Sequence, residues 1–252
     1  YFPDYGKYEE YSEANYETNI SDFQLVSYIL GRCATVDEVK AEIARVHIHG
    51  FDPRSSTVHW RFAEPSGRQI VLEIIDGKCV FYENKLGVLT NSPSFDWQLT
   101  NLNNYVNLMP GRTEPHTLGN MSLSSFGGGS AMIGLPGDFT PPSRFVRAAF
   151  FQNTAPQKPD AEGSVFTAFH ILGSMEIPIG AQFPVDETPA DIPSATQCTC
   201  VTDMSGLKFY YRSMYDGGIR CIDLKEIDFK KIGLKSEPLV PSKREFVHHI
   251  RF

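Results

Sequence analysis

The sequence lacks the features that would point to a nucleic acid or a membrane. Acidic residues outnumber basic ones, 30 Asp and Glu against 23 Lys and Arg, for a formal net charge of −7. No nucleic acid partner is expected, because phosphate binding requires a basic surface. No run approaches the roughly 20 apolar residues that a helix needs to cross a bilayer, and no secretory signal pattern is present. We therefore expect no membrane partner.

Cysteine is also scarce, with five residues, an odd number, spread along the chain. Free thiols in a reducing compartment are the expected state, so we expect a cytoplasmic protein, with the periplasm as the alternative. Cys198 and Cys200 are separated by one residue, whereas common zinc and redox motifs have two. No histidine cluster lies near them in the sequence. We therefore expect no metal and no cofactor, and we assign the cysteines to strand interiors.

The remaining composition is that of an ordinary globular protein. Hydrophobic residues make up 41% of the chain, and 18 Phe and 11 Tyr can fill a core. The length of 252 residues fits one large domain or two small ones. Basic residues near the end are interrupted by acidic ones, which predicts a solvated tail at about residues 225–252.

Two hydrophobic periods alternate along the chain. Helical spacing predicts helices over residues 23–30, 36–46, 93–106, 143–151 and 165–175. Alternation predicts strands over residues 57–62, 70–74, 79–82, 86–90, 196–202, 207–212 and 219–224. Asp22 is the expected cap of the first helix, and Thr35 with Glu38 forms a capping box for the second. Asp76-Gly77 is a hairpin signal, so we expect an antiparallel meander and the α+β class, with residues 109–142 as a loop.

Asn91 lies where a predicted strand ends and a predicted helix begins. An asparagine at such a position often forms a turn by bonding its own backbone. The alternative is a side-chain amide that donates to a developing oxyanion, since donors on rigid element ends suit an anion-stabilising site.

Arg144 lies in the first turn of a predicted helix, where the helix macrodipole disfavours a cation. Some other interaction should therefore hold it. One interpretation is a salt bridge to Asp138, six residues earlier. The other is a guanidinium that keeps a nearby thiol ionised by lowering its pKa.

Three segments closely resemble the choloylglycine hydrolase family, which groups penicillin V acylases with conjugated bile salt hydrolases. They are residues 87–106 (GVLTNSPSFDWQLTNLNNYV), residues 133–150 (IGLPGDFTPPSRFVRAAF) and residues 169–176 (FHILGSME). The likeness runs from Tyr1 to about Leu224. Motifs of this length and order are specific for a family and less specific for a substrate.

The resemblance implies an αββα sandwich of the N-terminal nucleophile hydrolase type, with two stacked antiparallel sheets between helical layers, in a single domain over residues 1–252. In that family an amino-terminal cysteine is the nucleophile, and its own α-amine is the base. The oxyanion-binding side chain corresponds to Asn91 and the arginine beside the nucleophile to Arg144. Tyr1 corresponds to a residue that donates a backbone N–H to the oxyanion, and Tyr1, Phe2 and Tyr5 are expected to wall the acyl pocket.

The chain departs from the family pattern at its first residue, which is Tyr1 and not a cysteine. The family's nucleophile segment and its first strands have no counterpart among the 252 residues. We expect either that the nucleophile lies upstream of Tyr1 or that the chain cannot turn over substrate alone.

The function that this resemblance implies is hydrolysis of a small-molecule, linear, non-peptide amide. Tyr1 favours a penicillin V acylase, which releases 6-aminopenicillanic acid, because bile salt hydrolases commonly have asparagine at this place. A conjugated bile salt hydrolase is the second reading, and an acyl-homoserine lactone acylase the third. A non-catalytic binding protein on the same scaffold is the alternative from another class. The family resemblance also implies a homotetramer or a homodimer.

Overall fold

The structure is a computed structural model that describes residues 1–52, 57–187, 194–240, 243–244, 247 and 249–250. The contacts divide the chain into two compact units, Tyr1–Thr154 and Ala155–Phe252. The prediction of one domain over residues 1–252 is not tested by this division and stays a prediction. Parts of the predicted tail, from residue 241 on, lie outside the described residues.

Helices and antiparallel strands both occur in each unit, as the α+β prediction requires. The α-helices among the described residues are α1 (Asp22–Leu30), α2 (Val36–Ile43), α3 (Phe95–Asn101), α4 (Pro141–Thr154) and α5 (Ala161–Gly173). The strands are β1 (Asn19–Ser21), β2 (His47–His49), β3 (Trp60–Ala63), β4 (Gln69–Ile75), β5 (Lys78–Glu83), β6 (His116–Leu118), β7 (Met121–Leu123), β8 (Cys198–Asp203), β9 (Lys208–Ser213) and β10 (Asp216–Asp223). Among the described residues, no helix has both the length and the apolar composition needed to cross a membrane.

Helix α1 starts one residue earlier than predicted, so its cap is Ser21 and not Asp22. Ser21 is the N-cap, and its backbone N–H donates to the Gln24 side chain at 3.1 Å. Asp22 is the first helical residue, and its carboxylate accepts the N–H groups of Phe23 at 2.9 Å and Phe51 at 3.1 Å. The carboxylate therefore ties the helix start to a distant loop instead of capping the helix.

Helix α2 begins with the predicted capping box. The Thr35 hydroxyl accepts the Glu38 N–H at 3.3 Å, and the Glu38 carboxylate accepts the Thr35 N–H at 2.9 Å. Val36, Val39 and Ile43 are buried on one face of this helix. This prediction is confirmed because each of its interactions is local in sequence.

Strand β4 is the centre of the first unit, between β3 and β5 in an antiparallel meander. Ile70, Leu72 and Ile74 face the core that also holds α1 and α2. Val71 faces the opposite way and packs with Phe95, Phe145 and Ala149 from α3 and α4. The sheet is thus covered on both faces, and the residues on the Val71 face point toward the elements that carry Asn91 and Arg144.

The strand predicted over residues 86–90 is not formed. Its backbone groups bond to side chains instead of to a neighbouring strand. Asn84 accepts the Gly87 N–H at 2.9 Å and donates to the Val88 carbonyl at 3.0 Å. Arg61 donates to the Gly87 carbonyl at 2.9 Å, and His59 contacts the Thr90 carbonyl at 2.9 Å. The segment is extended without a β-ladder.

Predicted helix boundaries also differ from those of the structure, and α3 and α4 are examples. Helix α3 begins at Phe95 instead of Pro93 and ends at Asn101, and Val106, the last residue of the predicted helix, is 86% exposed. Helix α4 begins at Pro141, where proline loses no needed hydrogen bond. Ser143, the first residue of the predicted helix, lies inside the first turn of α4. Within the predicted loop over residues 109–142, strands β6 and β7 form a small hairpin.

The second unit has one antiparallel sheet in the order β10-β9-β8, with α5 packed against β8. Glu176, just after α5, accepts hydrogen bonds from Arg212 at 2.8 Å and from Thr199 at 2.5 Å. These bonds tie the end of the helix to two neighbouring strands. The three strands of this sheet correspond to the three predicted over residues 196–224.

Candidate active site

The side-chain amide of Asn91 lies between Arg144 and Tyr1. Its Nδ2 donates to the Tyr1 carbonyl at 2.8 Å, and its Oδ1 accepts from an Arg144 terminal nitrogen at 2.7 Å. A guanidinium can only donate and a carbonyl can only accept, so both partners require the same orientation of the amide. The Nδ2 group has two hydrogens and the Tyr1 carbonyl takes one. The second N–H can serve a ligand.

The backbone around Asn91 is held on both sides. Buried Gln98 of α3 donates to the Asn91 carbonyl at 3.3 Å. The Thr90 hydroxyl donates to the Pro141 carbonyl at 3.0 Å, and the Ser92 hydroxyl donates to the Pro3 carbonyl at 2.5 Å. The turn is thereby joined to α3, to the start of α4 and to the lead-in segment. An amide fixed in this way loses little freedom when it binds an anion.

Arg144 is half-buried in the first turn of α4, as predicted. Its Nε donates to the Phe139 carbonyl at 2.9 Å. Burial lowers the pKa of the guanidinium, with a smaller contribution from the positive charge of Arg147. The group nevertheless stays charged at neutral pH. Its second terminal nitrogen is not used in the bonds to Asn91 and Phe139 and is oriented by them.

The predicted salt bridge between Arg144 and Asp138 is absent from the described part of the chain. The Asp138 carboxylate accepts instead from the Thr140 N–H at 2.9 Å, the Thr140 hydroxyl at 2.6 Å and the Ser143 hydroxyl at 2.7 Å. These bonds lower the pKa of Asp138 to about 2. Asp138 therefore organises the turn before α4, and Arg144 is left free to act on Asn91.

The three aromatic residues predicted at the site differ in exposure. Tyr1 is 63% exposed and Tyr5 45%, whereas Phe2 is fully buried. The Phe2 ring stacks on His59 with ring centroids 4.8 Å apart, and its N–H donates to the Thr57 carbonyl at 2.7 Å. Phe2 belongs to the core in this structure, which corrects its assignment to the wall of a substrate pocket. Substrate contact by Tyr1 and Tyr5 stays a prediction.

Two buried polar residues near the site were missed at the level of sequence. His59 contacts the Glu73 carboxylate at 3.2 Å, and both Glu73 oxygens accept the Phe95 N–H, at 3.0 and 3.2 Å. Glu73 is fully buried on the Val71 face of β4. A signal was available: this glutamate lies within the otherwise apolar core of β4, from residue 70 to residue 75. A charged residue in such a run requires a partner.

Three of the five cysteines do not have the properties of a nucleophile. Burial raises the pKa of the Cys33, Cys79 and Cys198 thiols, that of Cys198 to about 11. A catalytic thiol has a lowered pKa, because the thiolate is the reactive form. No group of three or more His, Cys, Asp or Glu able to hold a metal occurs among the described residues.

Comparisons with known proteins identify the family to which the chain is similar. A family model described as linear amide C–N hydrolases, choloylglycine hydrolase family, matches residues 1–237. A bile salt hydrolase/transferase from Clostridium perfringens is 34% identical, covering 87% of this chain and 67% of that protein. One from Lactiplantibacillus plantarum is 33% identical, covering 94% of this chain and 72% of that protein. A penicillin V acylase from Pectobacterium atrosepticum is 31% identical, covering 82% of this chain and 53% of that protein.

A solved structure shares the same architecture. A mutant conjugated bile acid hydrolase from Clostridium perfringens aligns with a TM-score of 0.84 at 30% identity. The alignment covers 99% of this chain and 75% of that one.

Proposed function

We propose that the chain forms the oxyanion-binding part of a conjugated bile salt hydrolase. It belongs to the choloylglycine hydrolase family of linear amide C–N hydrolases. It also has their N-terminal nucleophile hydrolase fold. In the proposed reaction a cysteine thiolate attacks the amide carbonyl and an oxyanion forms. The oxyanion collapses, the C–N bond breaks, and the amino acid leaves as an amine with the proton that the cysteine's α-amine took from the thiol. Water then hydrolyses the thioester, which releases the bile acid and regenerates the thiol. This thiolate would be that of the amino-terminal cysteine typical of the family, which is not among the 252 residues.

The Asn91 amide is the observation that carries this proposal. Its orientation is set by Arg144 on one side and the Tyr1 carbonyl on the other, and one N–H remains for the oxyanion. A donor held in advance stabilises the transition state without paying for reorganisation during the reaction. The three residues predicted to be catalytic are thus adjacent, and their catalytic roles are part of the proposal.

Arg144 has two parts in this mechanism. It holds the Asn91 amide through the bond to Oδ1. Its positive charge, whose bonds within the described residues go to the Phe139 carbonyl and the Asn91 amide and not to a carboxylate, also favours a thiolate nearby. The alternative salt bridge to Asp138 does not compete, because the Asp138 carboxylate is bonded to Thr140 and Ser143.

Conjugated bile salts are proposed ahead of penicillin V. The bile salt hydrolases are the more similar relatives, and they are matched over more of their length than the penicillin V acylase. The preference for penicillin V rests on Tyr1 and on the aromatic residues that follow it in the lead-in segment, and the comparisons do not favour it over bile salts. Penicillin V remains the second candidate because Tyr1 is exposed beside Asn91, where an aromatic side chain can contact an acyl group.

The test is a comparison of substrates with the protein as the cell produces it. Faster release of glycine or taurine than of 6-aminopenicillanic acid supports the proposal. The reverse order selects the penicillin V reading, and binding of these amides without any release selects the non-catalytic binding protein. Tyr1→Asn is the matched variant, and it should move the selectivity ratio further toward bile conjugates if Tyr1 contacts the acyl group.

We also propose that both compact units belong to one family domain, since the family match extends across residues 1–237.

The homotetramer or homodimer implied by the family is proposed on that resemblance alone. Light scattering on the purified protein measures the mass of the assembly and distinguishes the two from a monomer. The cytoplasmic location stays a prediction.

A further inference from the structure

His59 and Glu73 form a buried polar pair to which the proposed reaction assigns no role. Their side chains are 2% and 0% exposed. His59 lies just before β3 and Glu73 is on β4, so both are carried by the central sheet of the first unit. Two titratable side chains at this depth cost free energy unless each polar atom is bonded.

The bonds of the pair define where its protons are. His59 Nε2 lies 2.9 Å from the Thr90 carbonyl, which can only accept, so Nε2 is protonated. His59 Nδ1 lies 3.2 Å from Glu73 Oε1, and this contact requires one proton between the two atoms. Whichever atom holds that proton, the pair has no net charge. The Glu73 carboxylate also accepts the Phe95 N–H.

The two residues bracket Asn91. His59 bonds the carbonyl of Thr90, one residue before it, and Glu73 bonds the N–H of Phe95, four residues after it. The imidazole also stacks on the ring of Phe2, the residue that follows Tyr1. One buried pair on the central sheet therefore contacts the backbone on both sides of Asn91 and the side chain of the residue that follows Tyr1, the two partners of the Asn91 to Tyr1 bond.

We propose that His59 and Glu73 are positioning residues that hold the Asn91 amide at the place where it binds the oxyanion. This inference rests on the proposed function, because it assigns the pair to the same reaction. Small misplacement of a catalytic group can lower turnover by about 10²-fold. The pair acts through the backbone of residues 90–95 and does not itself touch the substrate.

Two variants separate positioning from general support of the fold. Glu73→Gln keeps an acceptor for the Phe95 N–H and can donate to His59 Nδ1, so kcat should stay within about threefold of wild type. The double variant His59→Phe with Glu73→Gln keeps a ring against Phe2 but loses the bond to Thr90. Its kcat should fall by at least about tenfold at nearly unchanged KM.

Asn84→Ala is the matched control. Asn84 is equally buried and holds the backbone of Gly87 and Val88 in the same loop, but it does not bracket Asn91. We expect it to lower the denaturation midpoint while kcat stays near wild type. If the double variant keeps wild-type kcat, or if Asn84→Ala lowers kcat as much at the same stability, the inference is wrong.

A second measurement does not depend on turnover. In the double variant, the NMR signals of the Asn91 side-chain NH₂ group should shift and its hydrogens should exchange faster with solvent; in Glu73→Gln they should resemble wild type. Unchanged Asn91 signals in the double variant overturn the inference. A wild-type protein that releases no amine from any conjugate overturns the proposed function instead, and the NMR result then decides the positioning role alone.

Discussion

Two segments of the first unit lack long regular structure, but they differ in how far the rest of the unit bonds to their backbone. The Asn91 segment, residues 84–95, contains buried residues and is bonded by the side chains of Asn84, Arg61, His59 and Glu73. The hairpin segment, residues 109–133, has no buried residue among those described, and its strands β6 and β7 bond mainly to each other. A loop becomes rigid when buried polar side chains from a sheet satisfy its backbone.

The difference shows why the candidate site is on the first of these segments. A donor for an oxyanion must be in place before charge develops, and this requires a backbone with few alternative conformations. Gly87 illustrates the closer packing of the Asn91 segment, since a Cβ there would meet the end of the Gln152 side chain, which would have to move. In the hairpin segment, by contrast, Gly111, Gly119 and Gly127 have open space around a Cβ.

The largest effect is expected for Asn91→Ala. Loss of the oxyanion donor should lower kcat by about 10²–10³-fold with little change in stability. The control is Asn107→Ala, next to the hairpin segment, where an exposed asparagine donates to the Ile133 carbonyl at 3.4 Å. Steady-state kinetics and a denaturation curve on both variants make the measurement. Near-normal turnover of Asn91→Ala would remove this residue from the site.

The next effect is expected for Arg144→Ala. Removing the positive charge should raise the pKa of the nucleophilic thiol by about one to two units, so that alkylation near neutral pH becomes slower. Arg144→Lys keeps the charge but not the guanidinium geometry, and should restore the alkylation profile more than the turnover. Arg112→Ala, an exposed change in the hairpin segment, is the control. If the pH dependence of alkylation is the same in Arg144→Ala as in wild type, Arg144 does not lower the thiol pKa, and its remaining role is to orient Asn91.

The sequence predicts those parts of the fold whose causes are local. The capping box of α2 and the Asp76-Gly77 hairpin are examples, because their interactions span a few residues. Asn91 and Arg144 are also found from sequence, since each lies within a long motif at the start of a helix. Their mutual bond, between residues 53 positions apart, could be expected only from the family resemblance.

The predictions that are wrong depend on distant partners. Residues 86–90 have the alternation of a strand, but the bonds from Arg61 and His59 span 26 and 31 positions. The start of α3 is displaced to Phe95, whose N–H is bound by Glu73, 22 positions earlier. Phe2 is core because His59 stacks on it. No local pattern encodes these contacts.

A smaller effect is expected for Asp138→Asn, which loosens the turn that positions Arg144. The folded pKa of about 2 is below the ordinary value of 3.8, so the carboxylate stabilises the fold. This stabilisation is fully present above about pH 4 and is lost as pH falls through 2. The variant should be less stable at neutral pH by about 1 kcal/mol, by analogy with helix caps, and should lack this pH dependence. Denaturation curves between pH 2 and 7 check it, and identical curves for variant and wild type would contradict it.

The smallest effect is expected for Phe126→Ser in the hairpin segment. The Phe126 side chain is fully exposed, so the free energy of unfolding should change by less than about 0.5 kcal/mol. Turnover should not change, because no described contact links this ring to the Asn91 segment. Denaturant titration at two protein concentrations measures the free energy of unfolding and shows whether it depends on association of the chain. A larger loss of stability that grows with protein concentration would mean that a second copy of the chain covers this ring, and the contrast between the two segments would then hold only for the single chain.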